Sequence, residues 1–272
     1  MTNFDFTEAG ADDLAQQFIE DGYVILPAEN KDALDCIRKC VAECAARAIG
    51  ESVPNDIDAF LNSFHKRVSL DELNAIRLKV IEGLNSQPWL RAAYFQLARQ
   101  AIFSIVGNEL AMQRRVNLSI QLPNDTSSLL PVHADVWSGD SPYEIVLWVP
   151  LVDCFRTKSM YLMPPEKDRA LQARMGEAFK NLSSTSLFKV IEDDVQWMDV
   201  PYRNILIFSQ TLMHGNQPNE ENDTRWTMNC RLKSLFSPYA DKRLGEFFEP
   251  ITLRAASRIA LDYELPKGFE NA

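Results

Sequence analysis

Arg115-Val-Asn-Leu-Ser-Ile-Gln-Leu122 and Arg225-Trp-Thr-Met-Asn-Cys-Arg-Leu232 decide the fold, because each alternates polar and apolar residues without a break. A period of two is the signature of a strand with one apolar face. Between them lie two runs that are apolar throughout, Ile145 to Leu151 and Ile205 to Phe208, as expected of strands covered on both faces. The chain before this region reads differently. Thr7 to Asp21, Asp32 to Ile49, Asp56 to His65, Ser69 to Gly83 and Pro88 to Val106 have helical spacing, and Ser69 with Glu72 forms a capping box. Gly22 interrupts the first helix ahead of a short strand, Tyr23 to Pro27. Pro164-Pro165 opens a charged helical stretch from Glu166 to Asn181, followed by Ser183 to Ser186, and Phe247 to Asp262 reads as a last helix.

Helices followed by period-two strands predict an α+β chain whose strands form a double-stranded β-helix, or jelly roll, with the N-terminal helices packed on one sheet. The expected organisation is one domain over 1–272: helical support over 1–110, a jelly-roll core over 111–236 with an insertion at 164–186, and a C-terminal helix over 237–272. On this arrangement the apolar sides of the two alternating strands lie beneath the helices. Asn117, Ser119, Gln121, Arg225, Thr227, Asn229 and Arg231 then line a polar cavity; the alternative is that these faces look at water.

Three histidines occur in the chain, and one of them belongs to His133-Ala134-Asp135. Residues two apart on a strand point the same way, so His133 and Asp135 are expected to share a cavity with Cα atoms roughly 7 Å apart. An isolated His-x-Asp pair is more often a surface hydrogen bond. Here, however, His214 follows the apolar run at 205–208, and Arg225 follows it after a turn-rich interval. Two imidazoles and one carboxylate make the facial set that holds non-haem iron. His65 is left over.

The formal net charge is −10, from 38 acidic against 28 basic residues, with no clustered basic run. Nucleic acid is therefore not expected as a partner, and the acid excess favours neutral or cationic small molecules over polyanions. No apolar run reaches the ~20 residues that cross a bilayer, and the first residues are acidic, so no membrane partner is expected and the compartment is read as cytoplasmic. The five cysteines are scattered, against a disulfide framework. Cys36, Cys40 and Cys44 recur on one helix, but the outer two stand roughly 12 Å apart along its axis, too far for one metal. They are read as buried thiols packing that helix.

The layout from Gly22-Tyr23-Val24-Ile25-Leu26 through His133-x-Asp135 and His214 to Arg225 resembles the phytanoyl-CoA dioxygenase-like branch of the 2-oxoglutarate and Fe(II) dependent oxygenases. The stretch His133-Ala-Asp-Val-Trp-Ser-Gly-Asp-Ser-Pro-Tyr-Glu144, with Thr157-Lys-Ser-Met-Tyr161 and Thr224-Arg-Trp226, is similar to the "sporadic carbohydrate cluster" oxygenases, which are encoded beside bacterial surface-polysaccharide genes. The Asn-Gly and Pro-Gly-Ser-His segment of the lipid-acting relatives is absent, and Lys158-Ser159-Met160-Tyr161 stands in its place.

The resemblance implies Fe(II) held by His133, Asp135 and His214, with 2-oxoglutarate and dioxygen as cosubstrates. The carboxylate of Asp135 implies hydroxylation or a related oxidation rather than halogenation. Arg225 would pair with the distal carboxylate of 2-oxoglutarate, helped by Thr227, with Arg231 on the same strand face as the rival. Asn117 and Gln121 are further candidates near the metal or cosubstrate, while Trp137, Asp140, Ser141 and Tyr143 are candidates for substrate contact. The expected substrate is a carbohydrate or sugar-bearing small molecule. Two alternatives stand beside it: a non-catalytic, cupin-like sugar-binding jelly roll, or the same chemistry on an amino acid or acyl chain.

Overall fold

The computed structural model describes residues 13–175 and 184–268. Helix α1 (Asp13–Asp21) stops at Gly22, where φ is +72° and a Cβ would stand 2.5 Å from Leu212 Cδ1, so only glycine turns the chain there into strand β1 (Tyr23–Pro27). The part of the expected first helix before residue 13 lies outside the described residues. Helices α2 (Lys31–Ala48), α3 (Ile57–Asn62) and α4 (Leu70–Asn85) follow. Each has a side-chain cap: Asn30 Oδ1 accepts from the Ala33 N–H, Asp56 Oδ1 from the Ala59 N–H, and Ser69 with Glu72 closes the capping box. The end of the helix expected over Asp56 to His65 is instead a separate 3₁₀ turn, Phe64–Lys66, in which His65 Nδ1 meets Thr224 Oγ1 at 3.1 Å, away from the other histidines.

One expected helix is two. Pro88 to Val106 breaks at Leu97-Ala98 into α5 (Leu90–Gln96) and α6 (Arg99–Val106). The cause is remote in sequence: the Glu29 carboxylate accepts the N–H groups of Gln100 and Ala101 at 2.9 to 3.0 Å, while the Glu29 N–H donates to Leu97 O. This carboxylate supplies a second helix start that no residue within 88–106 encodes. The three thiols of α2 also differ from expectation, since Cys44 is buried, Cys40 half-buried and Cys36 exposed. Steps of four residues advance about 40° around a helix, so the series rotates out of the core.

The strands are β2 (Leu110–Gln113), β3 (Asn117–Gln121), β4 (Glu144–Pro150) and β5 (Tyr161–Leu162). Helix α7 (Pro165–Gln172) and helix α8 (Ser184–Ile191) come next. After them run β6 (Gln196–Trp197), β7 (Asn204–Ser209), β8 (His214–Gly215), β9 (Arg225–Ser234), β10 (Phe248–Thr252) and a short helix α9 (Ala255–Leu261). The helix expected over Glu166 to Asn181 is thus interrupted after Gln172, and its part over 176–181 lies outside the described residues. The C-terminal segment is a further correction. Phe247 to Asp262 is mostly not helical, because Phe248–Thr252 pairs antiparallel with β2 and only the last turns coil.

The large antiparallel sheet has seven strands in the order β1-β7-β4-β9-β2-β10, with β3 also paired to β9. Strand β9 is long enough for two partners on one edge: its first half meets β3 (Gln121 opposite Arg225) and its second half β2 (Met112 opposite Leu232). A second antiparallel sheet, β6-β5-β8, has three strands. Trp226, Met228, Cys230 and Leu232 are fully buried on the side of β9 that meets the helices. There the Trp226 Nε1–H donates to Leu61 O at 2.9 Å, and the ring lies edge-on to Phe64 at 4.9 Å. Burial of each such side chain stabilises the pairing of helices and sheet by about 1.5–3 kcal/mol. No helix among the described residues is long and apolar enough to cross a membrane.

Candidate active site

On its other face the large sheet lines a cavity of about 350 Å³, within the usual range for small-molecule sites of roughly 300–1,000 Å³. Asn117, Ser119, Arg225, Thr227, Asn229 and Arg231 line it from β3 and β9, and Val146 and Trp148 from β4. The apolar β4 run is explained by this position, since one face meets the helices and the other the cavity. Gln121 does not line it: the side chain is fully buried, its Nε2 donating to Gln217 O at 2.9 Å.

His133, Asp135 and His214 meet at the cavity, with one donor atom from each lying within 4.8 Å of the others. The backbone that brings them together is not the strand expected from the sequence. His133 makes a single antiparallel bridge to His214, with N–H to O distances of 3.0 and 2.8 Å. Asp135 opens a 3₁₀ turn (Asp135–Ser138). Only Ala134 between them is extended (φ −113°, ψ 135°), and this suffices to bring His133 Nε2 within 3.5 Å of Asp135 Oδ1. His214 Nε2 lies 4.0 Å from the same oxygen.

Both rings are set in the same manner. His133 Nδ1 lies 2.7 Å from Pro131 O and His214 Nδ1 lies 2.8 Å from Leu212 O. A carbonyl accepts only, so each Nδ1 carries a proton, which leaves Nε2 as the inward-facing atom that ligates a metal once it is unprotonated. Burial and the neighbouring His133 pull His214 down to about 4, which keeps it neutral at physiological pH. Burial pushes Asp135 up, but the His133 hydrogen bond and the charge of Arg231 win and hold it well below the usual carboxylate range. Burial likewise lowers His133, yet its bonds to Asp135 and Pro131 O leave it raised.

The two cavity arginines differ in what they already hold. Arg231 lies 2.9 Å from Asp135 Oδ1 through Nη2, and 3.1 Å from Asp140 Oδ1 through Nε; Lys242 also bonds Asp140. Arg225 is buried and, among the described residues, has no carboxylate in ion-pairing range. Its Nη1 donates to Ser159 O at 2.8 Å and its Nη2 to Ser119 Oγ at 3.3 Å, while Nε and the buried Ser159 Oγ have no hydrogen-bond partner among the described residues. Burial pulls the guanidinium down to about 10, so it remains charged. An unpaired buried charge is costly unless a ligand compensates it.

Of the substrate candidates, only Asp140 lines the cavity, and its carboxylate is held by Arg231 and Lys242. Ser141 Oγ donates to Pro238 O, and Trp137 and Tyr143 are exposed off the cavity wall. These four sit in a turn that folds back on the 236–243 loop, where Asp241 N–H donates to Gly139 O. Lys242 was not signalled by the sequence, because it reaches the cavity from an irregular loop after β9. Trp148 was hidden inside a uniformly apolar run, where alternation carries no information.

No protein-family model and no curated protein sequence matches the chain. Solved structures do share its fold. A nickel complex of the non-heme monooxygenase ThoJ is 17% identical over 89% of this chain and 84% of that one, with a TM-score of 0.54. HygX from Streptomyces hygroscopicus, with nickel and 2-oxoglutarate bound, is 13% identical over 85% and 89%, with a TM-score of 0.52. SnoK, a non-heme alpha ketoglutarate dependent carbocyclase from nogalamycin biosynthesis, is 13% identical over 88% and 96%, also with a TM-score of 0.52. The mixed helical and antiparallel architecture is thus one found in non-heme, 2-oxoglutarate-dependent oxygenases, and His133, Asp135 and His214 have the make-up of a facial triad that could hold a metal ion.

Proposed function

We propose that this chain is a 2-oxoglutarate- and Fe(II)-dependent oxygenase that hydroxylates or otherwise oxidises a sugar-bearing small molecule. Its two antiparallel sheets are read as the halves of a double-stranded β-helix. The observation that carries the proposal is the presence in one cavity of two imidazole Nε2 atoms, a carboxylate and a buried guanidinium with no ion pair among the described residues. The first three are a borderline-hard donor set suited to Fe(II), and the fourth calls for an anion. HygX, which shares the fold, holds nickel and 2-oxoglutarate together.

In this reading His133, Asp135 and His214 hold the metal, and Arg225 takes the distal carboxylate of 2-oxoglutarate through its free Nε and the Nη2 now held only at 3.3 Å by Ser119. Thr227, next but one on the same strand face, adds a hydroxyl. Bound Fe(II) with 2-oxoglutarate and dioxygen supplies the oxidation of a substrate C–H bond. Arg231 keeps Asp135 ionised and fixed in orientation, and Trp148, Met160 and Phe208 exclude water from the floor. Asn117 and Asn229, paired at 3.0 Å, offer the amide groups suited to hydroxyls.

The test is the weak visible absorption of the anaerobic Fe(II) and 2-oxoglutarate complex, measured beside a His133→Ala variant. The band is expected in the parent and absent in the variant; equal spectra from both would remove the ligand assignment. Purified protein that binds neither iron nor 2-oxoglutarate would instead belong to a binding module of the same architecture.

A further inference from the structure

The charges of the cavity point to the substrate as well as the cosubstrate. Three cations line it, Arg225, Arg231 and Lys242, against two carboxylates, Asp135 and Asp140. If the proposed function holds, a divalent metal and a dianionic cosubstrate cancel each other, and one positive charge remains in excess within a partly dehydrated space. Interactions there are screened far less than at the surface, so a local excess outweighs the chain's overall −10.

The cavity also continues outward. Asn117 and Arg231 belong at once to the cavity and to a shallower groove that adds Arg114, Arg115, Glu246 and Phe247. Arg114 and Arg115 sit at the break where β9 changes partner from β2 to β3, and both are exposed. Arg114 is paired with Glu249 at 3.0 Å, whereas Arg115 has no ion pair or hydrogen bond among the described residues. Lys242, a quarter exposed, lies over the Phe247 ring at 5.0 Å, so its ammonium stands where the cavity and the groove come together. An ammonium has three N–H donors, so while bonded to Asp140 it keeps donors for an oxyanion along that edge.

We propose that the substrate is anionic: its reacting end occupies the cavity, and a phosphate or carboxylate group lies along the shared edge, held by Lys242 and Arg115. This rests on the oxygenase reading, and it replaces the expectation from net charge of a neutral or cationic substrate. An unpaired guanidinium and an ammonium with N–H donors to spare suit either oxyanion.

The experiment uses the full chain loaded with nickel(II) and saturated with 2-oxoglutarate. Calorimetric titrations at constant ionic strength compare inorganic phosphate, glucose 1-phosphate, glucuronate, glucose and glucosamine. At least one of the three anions is expected to bind with a Kd below about 10 mM, at least tenfold tighter than glucose or glucosamine. Phosphate against glucuronate then separates the two oxyanions. Arg115→Gln, on an exposed side chain, and Lys242→Met are each expected to weaken that anion about tenfold while 2-oxoglutarate affinity stays within about twofold. No anion binding, tighter binding of glucosamine, or unchanged affinity in both variants would overturn the proposal. Failure of nickel or 2-oxoglutarate to bind at the outset would strike the oxygenase reading instead, and the two failures are told apart before any sugar is added.

Discussion

Replacing Arg225 by methionine separates a ligand-binding guanidinium from a structural one, because the two predict opposite effects on the free protein. Arg225 is 3% exposed, makes only two protein hydrogen bonds, one of them long at 3.3 Å, and faces no carboxylate among the described residues. Arg231 is 14% exposed in its side chain and holds two carboxylates. In the absence of cosubstrate Arg225→Met removes a buried charge that has no direct ion pair among the described residues and only the more distant Asp125 to offset it, so thermal stability is expected to hold or rise. Arg231→Met takes from the buried Asp135 its guanidinium partner, and breaking such a buried pair costs about 3–5 kcal/mol.

With 2-oxoglutarate the order reverses. Loss of one member of a buried, hydrogen-bonded charge pair costs about 2–5 kcal/mol, which at about 1.4 kcal/mol per decade is between roughly 30-fold and several thousandfold in affinity. Calorimetry on nickel-loaded protein measures this directly, and the melting temperature with and without cosubstrate measures it by linkage. Arg225→Lys, which keeps the charge but not the fork, is expected to fall between parent and methionine variant. Unchanged 2-oxoglutarate affinity in Arg225→Met would refute the reasoning, as would a free-protein destabilisation matching that of Arg231→Met.

Metal affinity is expected to carry a single-proton pH dependence. His214 is held neutral down to about 4, whereas His133 is raised above its ordinary value and must lose a proton before it can ligate, so nickel affinity falls about tenfold per pH unit below the His133 transition. A two-proton slope above pH 5, or none, would contradict this. Gly215→Ala puts a Cβ 2.5 Å from Tyr161 Oη and 2.8 Å from Leu130 O, directly beside His214, and is expected to cost about 1–3 kcal/mol in urea unfolding together with a loss of nickel affinity. Glu29→Ala removes the acceptor of two N–H groups at the start of α6 and is expected to lower stability by about 1–2 kcal/mol without changing metal binding; an unchanged urea midpoint would show that the cap is not needed.

The chain itself determined the alternating strands, since a period of two survives whatever packs on either side, and it determined the capped starts of α2, α3 and α4, since those bonds span three residues. It also carried the three candidate metal-site residues, whose chemistry is readable from type and order: no fold is needed to see that a histidine, an aspartate two residues later, a second histidine and a following arginine make a rare set. What the sequence left open was everything set by residues distant along the chain. Glu29 splits the helix at Leu97-Ala98, β2 captures Phe248–Thr252 as a strand where the local pattern reads as helix, and the 236–243 loop draws Ser141 away from the cavity while bringing Lys242 into it. The choice between Arg225 and Arg231 was of the same kind. Their positions on one strand face are equivalent in sequence, and only the folded chain gives one of them two carboxylates and leaves the other buried, charged and unpaired.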